Sequence, residues 1–278
     1  MTAKEPVLAA TTREWRARML GDLEANSAPR VCTTEQLLAL AAQVRPGIAL
    51  ATARSAIEGL EQSRALLKVS KGLYLNRRSR PAAELSEAAQ HLRHGAVVSL
   101  QTVLGECGFL NNPPAVVTAV LPLPADKGPR PNLGEVKTSG GQVFRFRALP
   151  ARFFPASVDD ERLMLQAGRF CPVVRPEVAL LHWLYLAHSP RSSMLSPPQD
   201  VDFSVLDMDL LASFAWRWDL SRTLQEWMQR VQTLGDPQEP SRLPSSQNIS
   251  PSSSRPALSE RAAQARARMM ARRALRDA

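Results

Sequence analysis

The alternation of hydrophobic and polar residues is most regular between residues 33 and 76, where it predicts two helices followed by two short strands. The first helix follows Thr34, a residue type that caps helix N-termini, and its leucines and alanines recur on one face. Pro46 and Gly47 predict the turn after it, because proline lacks an amide donor and glycine tolerates a positive φ. The second helix, residues 50–62, has a polar side and an apolar side, the latter made of Leu50, Ala53, Ala56, Ile57 and Leu60.

Two β-prone runs follow the second helix, at residues 65–69 and 73–75. Ser70-Lys71-Gly72 separates them, and its glycine favours a hairpin turn. A helix, a turn, a second helix and a β-hairpin in this order are typical of the winged helix-turn-helix, in which the second helix reads the DNA major groove. Small protein-interaction domains can have the same order of elements, and the distribution of charge helps to distinguish them from DNA-binding domains.

The charge of the chain is concentrated at its ends, and the formal net charge is +9. Residues 1–80 hold 13 lysines and arginines against 7 acidic residues, and residues 255–278 hold 7 against 2. Residues 81–254 hold 15 against 17. Because lysine and arginine neutralise DNA phosphates, this distribution favours nucleic-acid binding by the ends rather than by the middle.

The predicted contacts to double-stranded DNA follow from the chemistry of the polar side chains in this module. Arg54 is the first candidate for a base contact, because its planar guanidinium can pair with guanine, and Thr52 and Ser55 lie beside it. Cations on the hairpin and directly after it are expected to hold the phosphate backbone. These are Lys68, Lys71, Arg77 and Arg78.

The whole sequence predicts an α+β protein in three parts, with Pro81 at the first boundary. Residues 1–80 form the winged helix-turn-helix domain, residues 81–235 a mixed α/β second domain, and residues 236–278 a disordered linker with a basic tail. Further helices are predicted from Thr11 or Thr12 to Glu24, Glu84 to Arg93, Ser99 to Cys107, Pro176 to His188, Asp207 to Arg217 and Ser221 to Thr233. Further strands are predicted at 96–98, 115–121, 135–138 and 142–148, with weaker candidates at 162–166 and 169–174.

Two features of the C-terminal third have alternative interpretations. Trp216, Trp218 and Trp227 are expected to pack in the core rather than to form a platform on which bases stack. The arginine-rich stretch 259–278 is consistent with a solvated helix or with a nonspecific nucleic-acid arm.

Composition disfavours several classes of protein. The chain has three cysteines and no CxxC pair, which indicates a reducing compartment and no disulfide framework. Its start lacks the apolar core of a signal peptide, and its longest apolar run, residues 178–187, is too short to span a bilayer. It contains no glycine-rich phosphate loop or nucleophile motif. We therefore expect a cytoplasmic protein with no membrane partner, no cofactor, no metal and no catalysis.

The best candidate for catalysis is a nuclease-like set made of Asp126, Glu135 and Lys137. In metal-dependent nucleases an aspartate and a Glu-x-Lys motif place two carboxylates on a divalent ion that activates water. The pattern is short and arises readily by chance, so a nuclease is the less favoured alternative. The histidines lack fixed carboxylate or cysteine partners and are expected to be solvated or packed rather than metal ligands. They are His91, His94, His182 and His188.

The order of these motifs resembles the AbiEi family, the antitoxin and regulator half of bacterial AbiE-type (type IV) toxin-antitoxin pairs. The resemblance spans most of residues 30–190 and rests on four stretches, which are Gly72-Leu73-Tyr74, residues 97–104, Val116-Val117-Thr118 and residues 175–181. It implies a winged-helix domain that binds operator DNA and represses its own operon. It also implies a second domain that helps to counteract a nucleotidyltransferase-like toxin, with or without direct contact.

The chain departs from the AbiEi pattern in two places. Many relatives have an aspartate after the Ala-Leu-Leu run, where this chain has His182. The basic tail also lies outside the pattern. A stand-alone winged-helix transcriptional regulator is therefore the alternative to an antitoxin.

Overall fold

The computed structural model of the protein describes residues 5–112, 115–123 and 132–235, in which helices and sheets are mixed as the sequence predicts. The helices are α1 (Glu5–Glu24), α2 (Thr34–Val44), α3 (Leu50–Gln62), α4 (Ala89–Leu92), α5 (Gln101–Glu106), α6 (Val158–Met164), α7 (Pro176–His188), α8 (Met208–Arg217) and α9 (Ser221–Gly235). The strands are β1 (Val31–Thr33), β2 (Leu66–Ser70), β3 (Leu73–Asn76), β4 (Val97–Val98), β5 (Val116–Pro122), β6 (Asn132–Lys137) and β7 (Val143–Leu149). The predicted linker and tail, 236–278, and most of the loop between β5 and β6 lie outside the described residues.

Helix α1 joins α2 and α3 in a small N-terminal core. Its residues Trp15, Met19 and Leu23 recur every four positions and are all buried, so they form a packing stripe along one side of the helix. The helix begins at Glu5, so the prediction that Thr11 or Thr12 caps it is wrong. Residues 7–10 favour helix and Pro6 is tolerated in a first turn, so the helix extends beyond the threonines.

Helix α2 begins with a capping box that lies one residue before the predicted cap. The Oγ1 atom of Thr33 accepts the backbone N–H of Gln36 at 3.2 Å, and Oε1 of Gln36 accepts the N–H of Thr33 at 2.8 Å. Thr34 is the first helical residue, and its N–H donates to the carbonyl of Gly72 at 2.9 Å. That hydrogen bond joins the start of α2 to the turn of the β2–β3 hairpin.

Strands β1, β2 and β3 form an antiparallel sheet in the order β1-β3-β2. The sequence predicts only the β2–β3 hairpin, because β1 has three residues and is too short for a periodic signal. One face of the sheet contributes Cys32 and Tyr74 to the N-terminal core. The other face contributes Val69, Leu73 and Leu75 to a larger core in the middle of the chain, so the hairpin lies between the two cores.

A second sheet, in the order β4-β5-β7-β6, organises the middle of the chain. Strands β5 and β7 are parallel and interior, whereas β4 and β6 pair antiparallel at the edges. The strands predicted at 115–121, 135–138 and 142–148 are confirmed as β5, β6 and β7. Phe144 and Phe146 are fully buried on one face, and Arg145 and Arg147 alternate with them on the opposite face.

Helices α7, α8 and α9 complete the larger core, and α7 has the predicted bounds. Glu177, in the first turn of α7, is buried, and its Oε1 accepts the N–H of Asp207 at 2.8 Å, which fixes the start of α8. Trp218 and Trp227 are buried, as predicted. Trp216 is 81% exposed because it lies on the outer side of α8, so its predicted place in the core is wrong.

Two of the weaker strand predictions are wrong. Residues 162–164 belong to α6, which Ser157 caps and whose first turn carries three acidic residues that suit a helix N-terminus. Residues 169–174 form only isolated bridges to Val98 and Leu165. The helix predicted from Glu84 to Arg93 is a 3₁₀ turn at Leu85–Ala88 followed by the single-turn α4.

Two further local predictions fail where tertiary contacts take over. Ser99 does not cap α5, because its hydroxyl is engaged with His182, and the residue before the helix is Leu100 with a φ of +61°. Leu50 is 53% exposed, since it is the first residue of α3 and precedes the part of the helix that reaches the core.

One buried ion pair fixes the segment that follows β3. Arg30 forms two hydrogen bonds of 2.7 Å with Glu87, and their side chains are 16% and 5% exposed. Arg30 also donates to the carbonyl oxygens of Pro81 and Ala82, and its guanidinium lies 3.5 Å from the ring centroid of Phe170. Arg30, which directly precedes β1, therefore connects the start of this strand with residues 81–87 and with Phe170.

Candidate nucleic-acid interface

Helix α3 divides its residues between the N-terminal core and the surface. The apolar residues of its inner side, Ala53, Ala56, Ile57 and Leu60, are at most 6% exposed. On the outer side Arg54 and Ser55 are exposed and Thr52 is half-buried. The Arg54 guanidinium has no hydrogen-bond or ion-pair partner in the part of the chain that the structure describes. All three predicted contact residues thus lie outside the buried side of α3.

The first turn of α3 has no side-chain cap. Its N-cap residue is Ala49, which has no acceptor, and the turn contains no acidic residue. The first amide groups of the helix and the positive end of its dipole are therefore available to an anion. Arg54 adds a full positive charge about one turn further along the helix.

Lys71 lies in the turn of the β2–β3 hairpin and is exposed. Gly72 follows it with a φ of +81°, a conformation that favours glycine. Because the carbonyl of Gly72 accepts the N–H of Thr34, this turn lies against the start of α2. Lys71 has no ion-pair partner within residues 5–112, 115–123 and 132–235.

Lys68 lies beside the C-terminal end of α3. It is paired with Tyr74 across the hairpin, so both side chains lie on the face of the sheet that contacts the helices. Its Nζ atom is 3.9 Å from Oε2 of Glu61, and 35% of its side chain is exposed. An irregularity between Lys68 and Ser70 shifts the register of the hairpin next to this lysine.

Arg77 and Arg78 lie at the end of the hairpin opposite Lys71. Four residue steps of about 3.3 Å separate Leu73 from Arg77, which is roughly 13 Å. Arg77 donates through Nη1 to the carbonyl of Ala83 at 2.7 Å. Arg78 pairs with Glu24 at the end of α1, with 2.7 Å between Nε and Oε1. The four predicted phosphate contacts are therefore distributed along the hairpin rather than gathered at its turn.

Arg64 is an exposed cation that was not among the predicted contacts. It lies in the three-residue connection between α3 and β2, with a φ of +60°. Its guanidinium has no partner among the described residues. Helix and strand periodicity give no signal at this position, because the residue belongs to neither element.

The residues of the alternative nuclease site are only partly described. Glu135 lies on β6, and its Oε1 accepts a hydrogen bond of 2.7 Å from Nε of Arg145 on β7. Lys137 is exposed at the end of β6, and Asp126 lies outside the described residues. Over the described ranges, no group of three His, Cys, Asp or Glu side chains is placed to hold a metal ion.

His182 is a packed core residue, one of the two situations expected for the histidines. Its Nε2 lies 3.2 Å from the carbonyl of Phe153 and its Nδ1 lies 2.9 Å from the hydroxyl of Ser99. A carbonyl only accepts, so Nε2 carries the proton and Nδ1 accepts from Ser99. Burial lowers the pKa of His182 to about 3, so the ring is neutral at pH 7. It has no access to a substrate, since it is fully buried and stacks on Trp218.

Comparisons with known proteins leave the function undetermined. No model of a known protein family matches the chain, and no curated protein matches it. Among solved structures, it is similar to the crystal structure of the RV2827C protein from Mycobacterium tuberculosis, with 18% sequence identity, coverage of 80% of each chain and a TM-score of 0.45. A similarity this distant carries no argument about function. Within the described residues, no helix is both long enough and apolar enough to cross a membrane.

Proposed function

We propose that the protein binds double-stranded operator DNA through its N-terminal part and acts as a transcriptional regulator. In this proposal α2 and α3 form the helix-turn-helix and the β2–β3 hairpin is the wing of a winged helix-turn-helix. Helix α3 enters the major groove, where Arg54 contacts a base edge and Thr52 and Ser55 contact neighbouring groups. Lys71 contacts the phosphate backbone. Lys68, Arg77 and Arg78 are secondary candidates for phosphate contacts, because each already has a partner within the chain.

The observation that carries this proposal is the unpartnered guanidinium of Arg54 on the open side of α3. A bidentate contact with guanine needs a guanidinium that is not already bonded to a carboxylate. The opposite side of α3 is buried, so the helix has a fixed position from which to present this side chain. The uncapped first turn of α3 and the free Lys71 add positive potential close to the same surface.

DNA binding is tested by selecting bound sequences from a random duplex library with the full chain and then measuring affinities for a selected and a scrambled duplex. Arg54→Ala is expected to lower the affinity for the selected duplex by about 1–3 kcal/mol, or roughly five- to 150-fold, and to affect the scrambled duplex much less. The matched control is Arg18→Ala, which removes an exposed arginine from α1. Enrichment of no sequence, or an equal loss on both duplexes, would contradict the proposed role of Arg54.

We further propose that this regulator is the antitoxin half of an AbiE-type pair, on the strength of its ordered resemblance to the AbiEi family. Residues 81–235 would then counteract a nucleotidyltransferase-type toxin, with or without direct contact, and the protein would act in the cytoplasm without catalysis or a cofactor. A stand-alone regulator is the alternative. Co-expression with the adjacent gene separates the two: rescue of growth from a toxic neighbour supports the antitoxin, and a neighbour that encodes no transferase removes the main reason for it.

A metal-dependent nuclease that uses Asp126, Glu135 and Lys137 is the less favoured alternative. Glu135 is already bonded to Arg145, and this bond competes with any metal ion for the carboxylate. Incubation of the protein with DNA and Mg²⁺ or Mn²⁺ tests it directly. Cleavage that Glu135→Gln abolishes would favour a nuclease over a regulator.

A further inference from the structure

A cleft of about 560 Å³ lies between the β2–β3 hairpin with the end of α3 on one side and the turn of the β6–β7 hairpin on the other. This volume is within the range of small-molecule sites in proteins. Arg64, Lys68 and Arg77 line the cleft on the N-terminal side, and Ser139 and Gln142 line it on the other. Its walls therefore come from the end of α3, the β2–β3 hairpin and its flanking residues, the 3₁₀ turn at Leu85 and the β6–β7 turn.

The cleft has an excess of positive charge. Arg64, Lys68 and Arg77 face a single carboxylate, that of Glu61. Lys68 is 3.9 Å from this carboxylate, which is long for an ion pair, and Arg64 has no partner in the described part of the chain. Arg77 uses only its Nη1 group, in the hydrogen bond to Ala83. Most of the guanidinium and ammonium donors are thus free to bind an anion.

The remaining lining combines polar donors with an apolar wall. The hydroxyl of Ser139 donates to the carbonyl of Lys68 at 3.0 Å, which holds the β6–β7 turn against β2. The Oε1 atom of Gln142 accepts from the hydroxyl of Thr138 at 2.6 Å, so its amide N–H groups remain as donors. The apolar wall is formed by Leu66, Leu67 and Leu85. Such a site suits a ligand that has an anionic end and a flat, weakly polar end.

We propose that this cleft binds a small phosphorylated ligand of nucleotide size. Its phosphate groups contact Arg64, Lys68 and Arg77, and its planar group packs against the leucines. A concave site with walls from several elements fits a small ligand better than the open surface that a DNA backbone needs. Arg54 and Glu61 are seven residues apart on α3, or roughly 10 Å, so the cleft lies two turns away from the proposed base contact. The inference does not depend on DNA binding.

The test is isothermal titration calorimetry of the full chain with ATP, AMP, inorganic pyrophosphate and, as an unphosphorylated control, adenosine. ATP and pyrophosphate are expected to bind and adenosine is not. Arg64→Gln and Lys68→Gln should each weaken ATP binding about tenfold or more, because each removes a charge-assisted contact with a phosphate. The control Arg162→Gln removes an exposed arginine from α6 and should leave the affinity unchanged. Thermal unfolding establishes that each variant is folded.

Three results would overturn the proposal. One is the absence of heat with ATP and pyrophosphate at millimolar concentration, and another is an unchanged ATP affinity in both Arg64→Gln and Lys68→Gln. A loss of DNA affinity in these variants, with no nucleotide binding by the parent protein, would also overturn it, because the cleft would then hold a DNA phosphodiester. Arg54→Ala should leave ATP binding intact, so that a failure of the DNA-binding proposal is distinguishable from a failure of this one.

Discussion

Two β-hairpins in the described part of the chain, β2–β3 and β6–β7, each carry a basic residue that shows one of two opposite situations. In the β6–β7 hairpin, Arg145 reaches across to Glu135 at 2.7 Å, and both side chains are about 40% exposed. In the β2–β3 hairpin, Lys71 lies in the turn without a partner in the described part of the chain. A cation that is already bonded to a carboxylate must give up that bond before it binds a phosphate. A free cation gives up only water and rotamer freedom.

The same contrast, between polar groups with and without an internal partner, is found between residues 81–235 and residues 1–80. In the middle part, several buried polar groups have partners within the fold: His182 contacts Ser99, and Glu177 accepts the N–H of Asp207. In the N-terminal part, Arg54 on α3 and Lys71 in the hairpin turn are exposed and have no partner among the described residues. An internal partner is thus typical of the residues that stabilise the fold, whereas Arg54 and Lys71, which have none among the described residues, are available to a ligand.

The largest expected effect is acid destabilisation through His182. Its pKa is about 3 in the folded protein and about 6.5 in the unfolded chain, so the unfolded chain binds more protons between these values. The stability that the neutral ring provides is thus present above pH 6.5 and is lost as the pH falls toward 3, at up to about 1.4 kcal/mol per pH unit.

Urea unfolding of the parent protein and of His182→Gln between pH 7 and pH 4 isolates this contribution from that of the carboxylates. The difference in unfolding free energy between the two proteins should change by about 2–3 kcal/mol over this range. Parallel stability curves would show that His182 does not titrate differently in the folded and unfolded states.

An effect of similar size is expected for one of two arginines that differ in burial. Arg30→Ala should reduce the free energy of unfolding by about 3 kcal/mol, because it leaves the buried carboxylate of Glu87 without its charged partner. Arg78→Ala, which breaks an ion pair with side chains 48% and 31% exposed, should cost less than about 1 kcal/mol. Chemical denaturation of both variants measures this difference. Equal losses would mean that burial does not decide how much an internal partner contributes.

Helices and strands with a strong period could be predicted from the sequence. The buried stripe of α1, the turn after α2, the inner side of α3, the interior strand β5 and the bounds of α7 all follow from local spacing. Short or irregular elements could not. Strand β1 has three residues and depends on its pairing with β3, and α6 is capped by Ser157 in a stretch whose apolar residues are too few to show a period.

The candidate interface could be predicted only in part, for the same reason. Thr52, Arg54 and Ser55 lie outside the buried stripe of a periodic helix, so their absence from the core could be predicted from the sequence. The partners of Arg77 and Arg78 are distant in the sequence or depend on the course of the loop after β3, so spacing alone does not show that these cations are engaged. Arg64 joins Lys68 and Arg77 only through the cleft, which tertiary packing creates.

The smallest expected effect is on the salt dependence of the proposed DNA binding. It is tested by substituting one basic residue in each of the two hairpins. Lys71→Ala should weaken binding to selected and scrambled duplexes about equally and reduce the slope of log K against log salt concentration by about 0.9, since one phosphate contact is lost. Arg145→Ala should leave that slope unchanged, because Glu135 already engages this arginine. Fluorescence anisotropy over a series of salt concentrations measures both slopes. If Arg145→Ala lowered the slope as much as Lys71→Ala, the carboxylate of Glu135 would not keep Arg145 from binding phosphate, and an internal partner would no longer distinguish the two hairpins.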